Sequence, residues 1–180
     1  MLFDVEDYVK KYRGYALLQR LLYIGEKSDG TDCLNLALKI CMEGMNTDMF
    51  QQIVKALRNK GTEPTSEGVD SFVESANRKA SLIQKRLETD LNGYKANLVK
   101  DGIRSAHLDL GHHHMARGNI QAALKSFVRA RDFCTTSAHV VEMCMNVITA
   151  AANLNNFVHV TNYAAKAEQT FVGSDAPDAM

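Results

Sequence analysis

The chain predicts an all-α fold: helical hairpins, then one long helix, then paired helices that repeat. Three observations carry this. Apolar residues recur mostly at spacings of three and four, and alternation of the strand kind is scarce. Only two prolines, Pro64 and Pro177, interrupt 180 residues. From about Ile103 onward the sequence matches itself at an offset of 37 residues.

Taken in order, the first helix starts at Asp4, whose carboxylate can accept backbone N–H bonds, and runs through DVEDYVKKY until Gly14 permits a break. YALLQRLLYIGEK follows, with Leu17, Leu18, Leu21, Leu22 and Ile24 on one apolar face, and Ser28-Asp29-Gly30 supplies a turn. From Thr31, LNLALKICMEGM forms a third helix. Asn46 or Thr47 caps a fourth, MFQQIVKALRNK, which ends in Arg58 and Lys60 near its carbonyl end and Gly61 as C-terminal cap. Residues 1–60 are thus two helical hairpins, and GTEPTSEG, 61–68, is a loop dense in turn formers.

Beyond the loop, Phe72, Ala76, Ala80, Ile83, Leu87, Leu91, Tyr94 and Leu98 recur at three and four, which reads as one helix from Val69 to about Lys100. Gly93 costs about 1 kcal/mol relative to Ala inside it, so a kink or boundary is placed near Asn92-Gly93. The offset of 37 then pairs Gly118-Asn119 with Asn155-Asn156, Ile103 with Val140, Leu108 with Met145, Ala123 with Val160 and Ala130 with Ala167. In the first unit Leu110, Gly111, Gly118, Ala123, Phe127 and Ala130 stand at tetratricopeptide spacing, where small residues let antiparallel helices approach and Phe fills the gap. The second unit departs from the pattern, with Ile148 for Gly111 and Ala164 for Phe127. Residues 69–171 are therefore expected to form one continuous tetratricopeptide-like domain, a right-handed α-solenoid, and 172–180 a frayed tail.

With 21 basic and 21 acidic side chains, no net field draws the chain to nucleic acid or an anionic membrane, so neither is expected as a partner. Clusters such as Arg78-Lys79, Lys85-Arg86 and Arg129-x-Arg131 are interleaved with Glu88, Asp90 and Asp132, as solvated helix faces are. MLFDVEDYVKK lacks the apolar core of a signal peptide, no apolar run approaches the roughly 20 residues of a membrane span, and the four cysteines contain no C-x-x-C pair. A soluble intracellular protein with reduced, packed thiols is expected.

His112-His113-His114 invites a metal reading, but helical neighbours point about 100° apart and cannot converge on one ion. His112-x-His114 also matches the H-x-H spacing of zinc isopeptidases that cleave ubiquitin-like modifiers. That motif needs a serine and an aspartate where Ala122 and Lys125 stand. No G-x-S-x-G elbow, phosphate loop or dinucleotide glycine fingerprint occurs. The expectation is no catalytic residue, no metal site and no cofactor. What remains is a polar stripe on the first helix of each pair: Ser105, Asp109 and His112, then Glu142, Asn146, Thr149 and Asn153, able to meet an extended segment of a partner.

DLNGYKANLVKDGIR, ALKSFVRARDFCTTSAHV, RARDFCTTSAHVVEMCMNVI and the earlier VEDYVKKYRGYALLQRLLYI resemble subunit one of the COP-nine signalosome. The resemblance covers nearly the whole chain. A sister family, proteasome-lid subunit seven, shares the long helix leading into tetratricopeptide-like repeats. The resemblance implies a non-catalytic scaffold and interaction arm of the complex that removes Nedd-eight from cullins, its isopeptidase chemistry held by another subunit. It also implies, as partners, other signalosome subunits, cullin-based ubiquitin ligases and their regulators, and residence in nucleus and cytoplasm. The family's subunit continues into more helices and a winged-helix module, so this chain is expected to be an amino-terminal portion. The wording looks plant-like, which implies repression of light-dependent development. The alternatives kept beside it are a proteasome-lid scaffold, a stand-alone tetratricopeptide adaptor, and an enzyme using the histidines.

Overall fold

The computed structural model describes residues 8–64 and 68–174, the side chains of 172–174 excepted. The helix start expected at Asp4 and the tail from 175 lie outside the described residues, as do positions 65–67 of the predicted loop. Eight α-helices and one 3-10 turn are found among the described residues, and no strand. The predicted all-α class is what folds. The contacts divide the chain between Leu82 and Ile83, with residues 116–118 counted in the first unit.

The first unit contains α1 (Gly14–Lys27), α2 (Asp32–Met42), α3 (Thr47–Asn59) and the opening turns of α4 (Val69–Ala96). Its core is aliphatic: Leu21, Leu34, Leu38, Ile53 and Leu57 are all at or below 1% exposed. Phe50 and Phe72 join it with ring centroids 4.6 Å apart. The caps follow the sequence. Gly14 takes φ +58°, the side chain of Asn46 accepts the Met49 N–H at 3.0 Å, and Gly61 ends α3 with φ +71°. Of the two capping candidates Asn46 is therefore the N-cap, and Thr47 is the first helical residue. Lys60 donates through Nζ to the carbonyls of Ser28 and Gly30, which pins the α1–α2 turn. The Cys41 thiol donates to the Asn46 carbonyl, and burial pushes its pKa up to about 11, so it stays a thiol. Arg117 donates to the Met45 carbonyl at 2.7 Å, and Gly118, φ +77°, lies so near Asn46 that a Cβ there would be 2.4 Å from Nδ2.

The second unit comprises the rest of α4, α5 (Lys100–Ala116), α6 (Ile120–Arg129), a 3-10 turn (Ala130–Phe133), α7 (Ser137–Asn153) and α8 (Phe157–Ser174). α4 ends at Ala96, not near Lys100, and Gly93 lies inside it without a break. Asn97 donates from its side chain to the Gly93 carbonyl at 2.9 Å, and a Cβ at Gly93 would meet nothing, so this glycine is an exposed helical residue and the boundary falls four residues later. Leu91, Ile103, Ala106 and Leu110 bury against one another, with Leu87 and Phe133 packed on them.

The 37-residue repeat is visible in the backbone. Gly118 and Asn155 both take positive φ, +77° and +55°. The Asn119 N–H reaches back to the His114 carbonyl and the Asn156 N–H to the Ala151 carbonyl, each at 2.9 Å. The side chains of Asn119 and Asn156 then cap the next helices by accepting from Ala122 N and His159 N, each at 3.2 Å. Each turn closes one helix with a Schellman bond and opens the next with an Asn cap. Gly111 is needed for the first pair to close: a Cβ there would lie 2.2 Å from Cε1 of Phe127. The corresponding positions of the second pair hold Ile148 and Ala164, both half-buried.

Candidate functional site

Five of the seven predicted stripe residues are exposed and two are half-buried. Ser105, Asp109 and His112 are exposed along one face of α5, and the His112 ring meets the edge of Phe127 at 5.2 Å. On α7, Glu142 and Thr149 are exposed, while Asn146 and Asn153 are half-buried. Thr149 turns its hydroxyl to the Met145 carbonyl at 2.9 Å, a local bond within its own helix.

Glu142 already has a partner. Arg104, whose side chain is only 12% exposed, donates to Glu142 through Nη1 at 2.7 Å and to Asp101 through Nε at 3.0 Å. Burial alone would lower the Arg104 pKa, but the hydrogen bonds and charges of Asp101 and Glu142 raise it. This bridge ties the first helix of one pair to the first helix of the next. Sequence reasoning missed Arg104, because its partner is 38 residues away and a helix-face rule sees only neighbours three and four apart.

The three consecutive histidines meet three environments: His112 exposed, His113 buried, His114 half-buried. Among the described residues no group of three or more His, Cys, Asp or Glu is placed to hold a metal ion. His107, 4% exposed, stacks on Phe133 at 6.1 Å. Burial lowers its pKa from the ordinary 6.5, and the charges of Lys95 and Arg129 lower it further. Burial also lowers His114, against an opposing pull from Glu88. Well above pH 6.5 His107 is neutral whether folded or not, so stability there is flat with respect to this group. Below it the unfolded chain takes up a proton that the folded chain resists, and stability falls as pH falls. Urea midpoints are therefore expected to drop between pH 7.5 and 5.5, and to drop less in His107→Gln; an unchanged difference would remove His107 from the account.

Cys33, Cys134 and Cys144 are free thiols with pKa values raised chiefly by burial. Cys134 donates to the carbonyls of Ala130 and His139 at 3.4 and 3.5 Å, a packed thiol at the 3-10 turn. No helix among the described residues is long and apolar enough to cross a membrane.

Stacked helix pairs, joined by Gly and Asn turns and cross-linked by a largely buried arginine, define an all-helical repeat protein. The family model described as 26S proteasome subunit RPN7 matches residues 70–178, and the chain belongs to that family. Among its relatives is COP9 signalosome complex subunit 1 of Arabidopsis thaliana, 36% identical over 172 residues, covering 92% of this chain and 38% of that protein. COP9 signalosome complex subunit 1b of Drosophila melanogaster is 29% identical over 217 residues, covering 93% of this chain and 41% of the other. The subunit 1 of Emericella nidulans is 32% identical over 161 residues, covering 88% and 32%. The resemblance drawn from DLNGYKANLVKDGIR and its companions is thereby borne out. The chain spans about two fifths of the length of the first two relatives and a third of the last.

Proposed function

We infer that this chain is part of a COP9 signalosome subunit and works as a non-catalytic scaffold and interaction arm. The single observation that carries the reading is similarity to subunit 1 across about nine tenths of the chain, in plant, insect and fungal relatives alike. On this reading its partners are the other signalosome subunits and, through the complex, cullin-based ubiquitin ligases and their regulators. The activity served is removal of Nedd-eight from cullins, which regulates ubiquitin-dependent degradation and, in plants, represses photomorphogenesis. The chain contributes contacts and no bond-breaking group, in nucleus and cytoplasm. On this reading the exposed residues of the polar stripe, Ser105, Asp109 and His112 with Glu142 and Thr149, would meet a partner segment.

The test is reconstitution. The full-length protein, and the same protein lacking residues 1–180, are assembled with the remaining signalosome subunits, and loss of Nedd-eight from a cullin ligase is followed on gels. Retained isopeptidase chemistry with weakened capture of ligases or regulators is expected. Normal processing and capture of every ligase and regulator without these residues would sink the reading. A second reading has its own support, because the matching family model is described as a proteasome subunit. Affinity capture that returns proteasome-lid proteins and no signalosome subunits would make it the better one.

A further inference from the structure

Among the described residues four helix ends close with the same backbone device, in which a residue of positive φ follows the last turn and the next N–H reaches back five residues. The positive-φ residues are Gly61, Leu98, Gly118 and Asn155, and the returning bonds are Thr62 to Leu57, Val99 to Tyr94, Asn119 to His114 and Asn156 to Ala151. Glycine is what this position favours, having no Cβ to strain, and asparagine is tolerated because its short polar side chain can hydrogen-bond locally. Leucine is the exception. Leu98 holds φ +55° and is nevertheless 82% exposed, so neither backbone preference nor burial accounts for it.

Leu98 does not stand alone. Val99 is 44% exposed and Tyr94 41% exposed, and the three form an apolar knuckle at the α4–α5 turn. Backbone hydrogen bonds hold the turn that carries it. The Leu98 N–H bonds to the Lys95 carbonyl at 3.2 Å and the Val99 N–H to the Tyr94 carbonyl at 3.0 Å. The Tyr94 ring lies over Gly102, where a Cβ would be 2.5 Å from Cδ1. Both flanks are basic: Lys95 and Lys100 are exposed, and among the described residues neither has a carboxylate at ion-pair distance. The adjacent carboxylate, Asp101, is engaged by Arg104.

We propose that the Tyr94–Leu98–Val99 knuckle is a docking element that inserts into an apolar pocket rimmed by carboxylates on another signalosome subunit. A preformed apolar tip loses little conformational entropy on insertion, and exposed apolar residues held this way mark protein contacts. Lys95 and Lys100 select an acidic rim by charge complementarity. The partner class rests on the signalosome reading above; the knuckle itself rests on the backbone and exposure of these five residues.

The test separates the backbone role of Leu98 from its side chain. The full-length protein and its Leu98→Gly, Leu98→Asp and Lys95→Glu/Lys100→Glu variants are each titrated against a preparation of the remaining signalosome subunits, and each variant is melted alone. Leu98→Gly relieves the strain, so its melting temperature is expected to rise or hold while its affinity falls by roughly tenfold or more. Leu98→Asp should weaken binding further, and the double glutamate variant should weaken it and flatten its salt dependence. Affinities of both Leu98 variants within twofold of the parent would overturn the proposal, as would a fall in melting temperature for Leu98→Gly, which would make Leu98 a structural residue. If the unsubstituted protein does not bind these subunits at all, the signalosome reading falls and takes the named partner with it.

Discussion

Gly111→Ala is expected to destabilise the second unit by about 2 kcal/mol, although alanine is the better helix former by about 1 kcal/mol. The added methyl would lie 2.2, 2.5 and 2.8 Å from Cε1, Cδ1 and Cζ of Phe127. That ring is 1% exposed and cannot swing out to solvent. The helices α5 and α6 must separate or the ring must leave its rotamer, and either response loosens a close-packed contact. Phe127→Ala removes the ring and should cost more, about 3–5 kcal/mol, through lost burial and the cavity left behind. Phe127→Leu removes Cε1 and Cζ, two of the three ring atoms that meet the new methyl, and leaves a shorter side chain that can turn away. In that background Gly111→Ala should be close to neutral, so the two substitutions should be strongly non-additive in a double-mutant cycle read by urea unfolding. Additive costs would show that Phe127 does not set the requirement for glycine.

The same pair shows what a sequence can and cannot disclose. Gly111 and Phe127 were legible as the small and large partners of a repeat, because the pattern fixes both their spacing and their sizes. Ile148 and Ala164 depart from it, with a large residue where the first unit has a small one and a small one where it has a large one. Local rules also found most helix ends. Asn46, Gly61, Gly118 and Asn119 do what their residue types favour. The end of α4 falls at Ala96 and not near Lys100 because the terminator, Leu98, keeps the apolar spacing of the helix and is a type that rarely takes positive φ, while Gly93, which looks like a break, is an exposed helical residue.

The candidate surface was less legible than the fold. A stripe drawn by helical spacing put Glu142 beside Asn146 and Thr149, and spacing alone could not reveal that Arg104 had already claimed it. Ion pairs between successive helix pairs depend on how the hairpins stack, which is tertiary information. The apolar knuckle was hidden for a related reason: Leu98 fits the three-and-four periodicity of α4, and only the observed backbone puts it outside that helix.

Leu34→Ala should be the most damaging single truncation in the first unit, at about 3–5 kcal/mol. Leu34 is fully buried, and its Cγ and Cδ2 each lie 2.5 Å from where a Cβ on Gly25 would be. Here α1 presents bare backbone to α2, so no neighbouring side chain on Gly25 can lean in to fill the void. Collapse would need the two helices to move together against Leu21 and Leu38, which are themselves at or below 1% exposed. The cost should therefore sit near the upper end of the range, and hydrogen exchange should report it as faster opening of α1, α2 and α3. Gly25→Ala alone should also destabilise, because its methyl meets the Leu34 side chain. Placed on Leu34→Ala, the same methyl enters the space vacated and adds helix propensity, so the double variant should be more stable than Leu34→Ala by about 1 kcal/mol. A loss below about 1 kcal/mol for Leu34→Ala would mean that α1 and α2 close the gap after all. A double variant less stable than the Leu34→Ala parent would mean that the vacated space is not the space in front of Gly25.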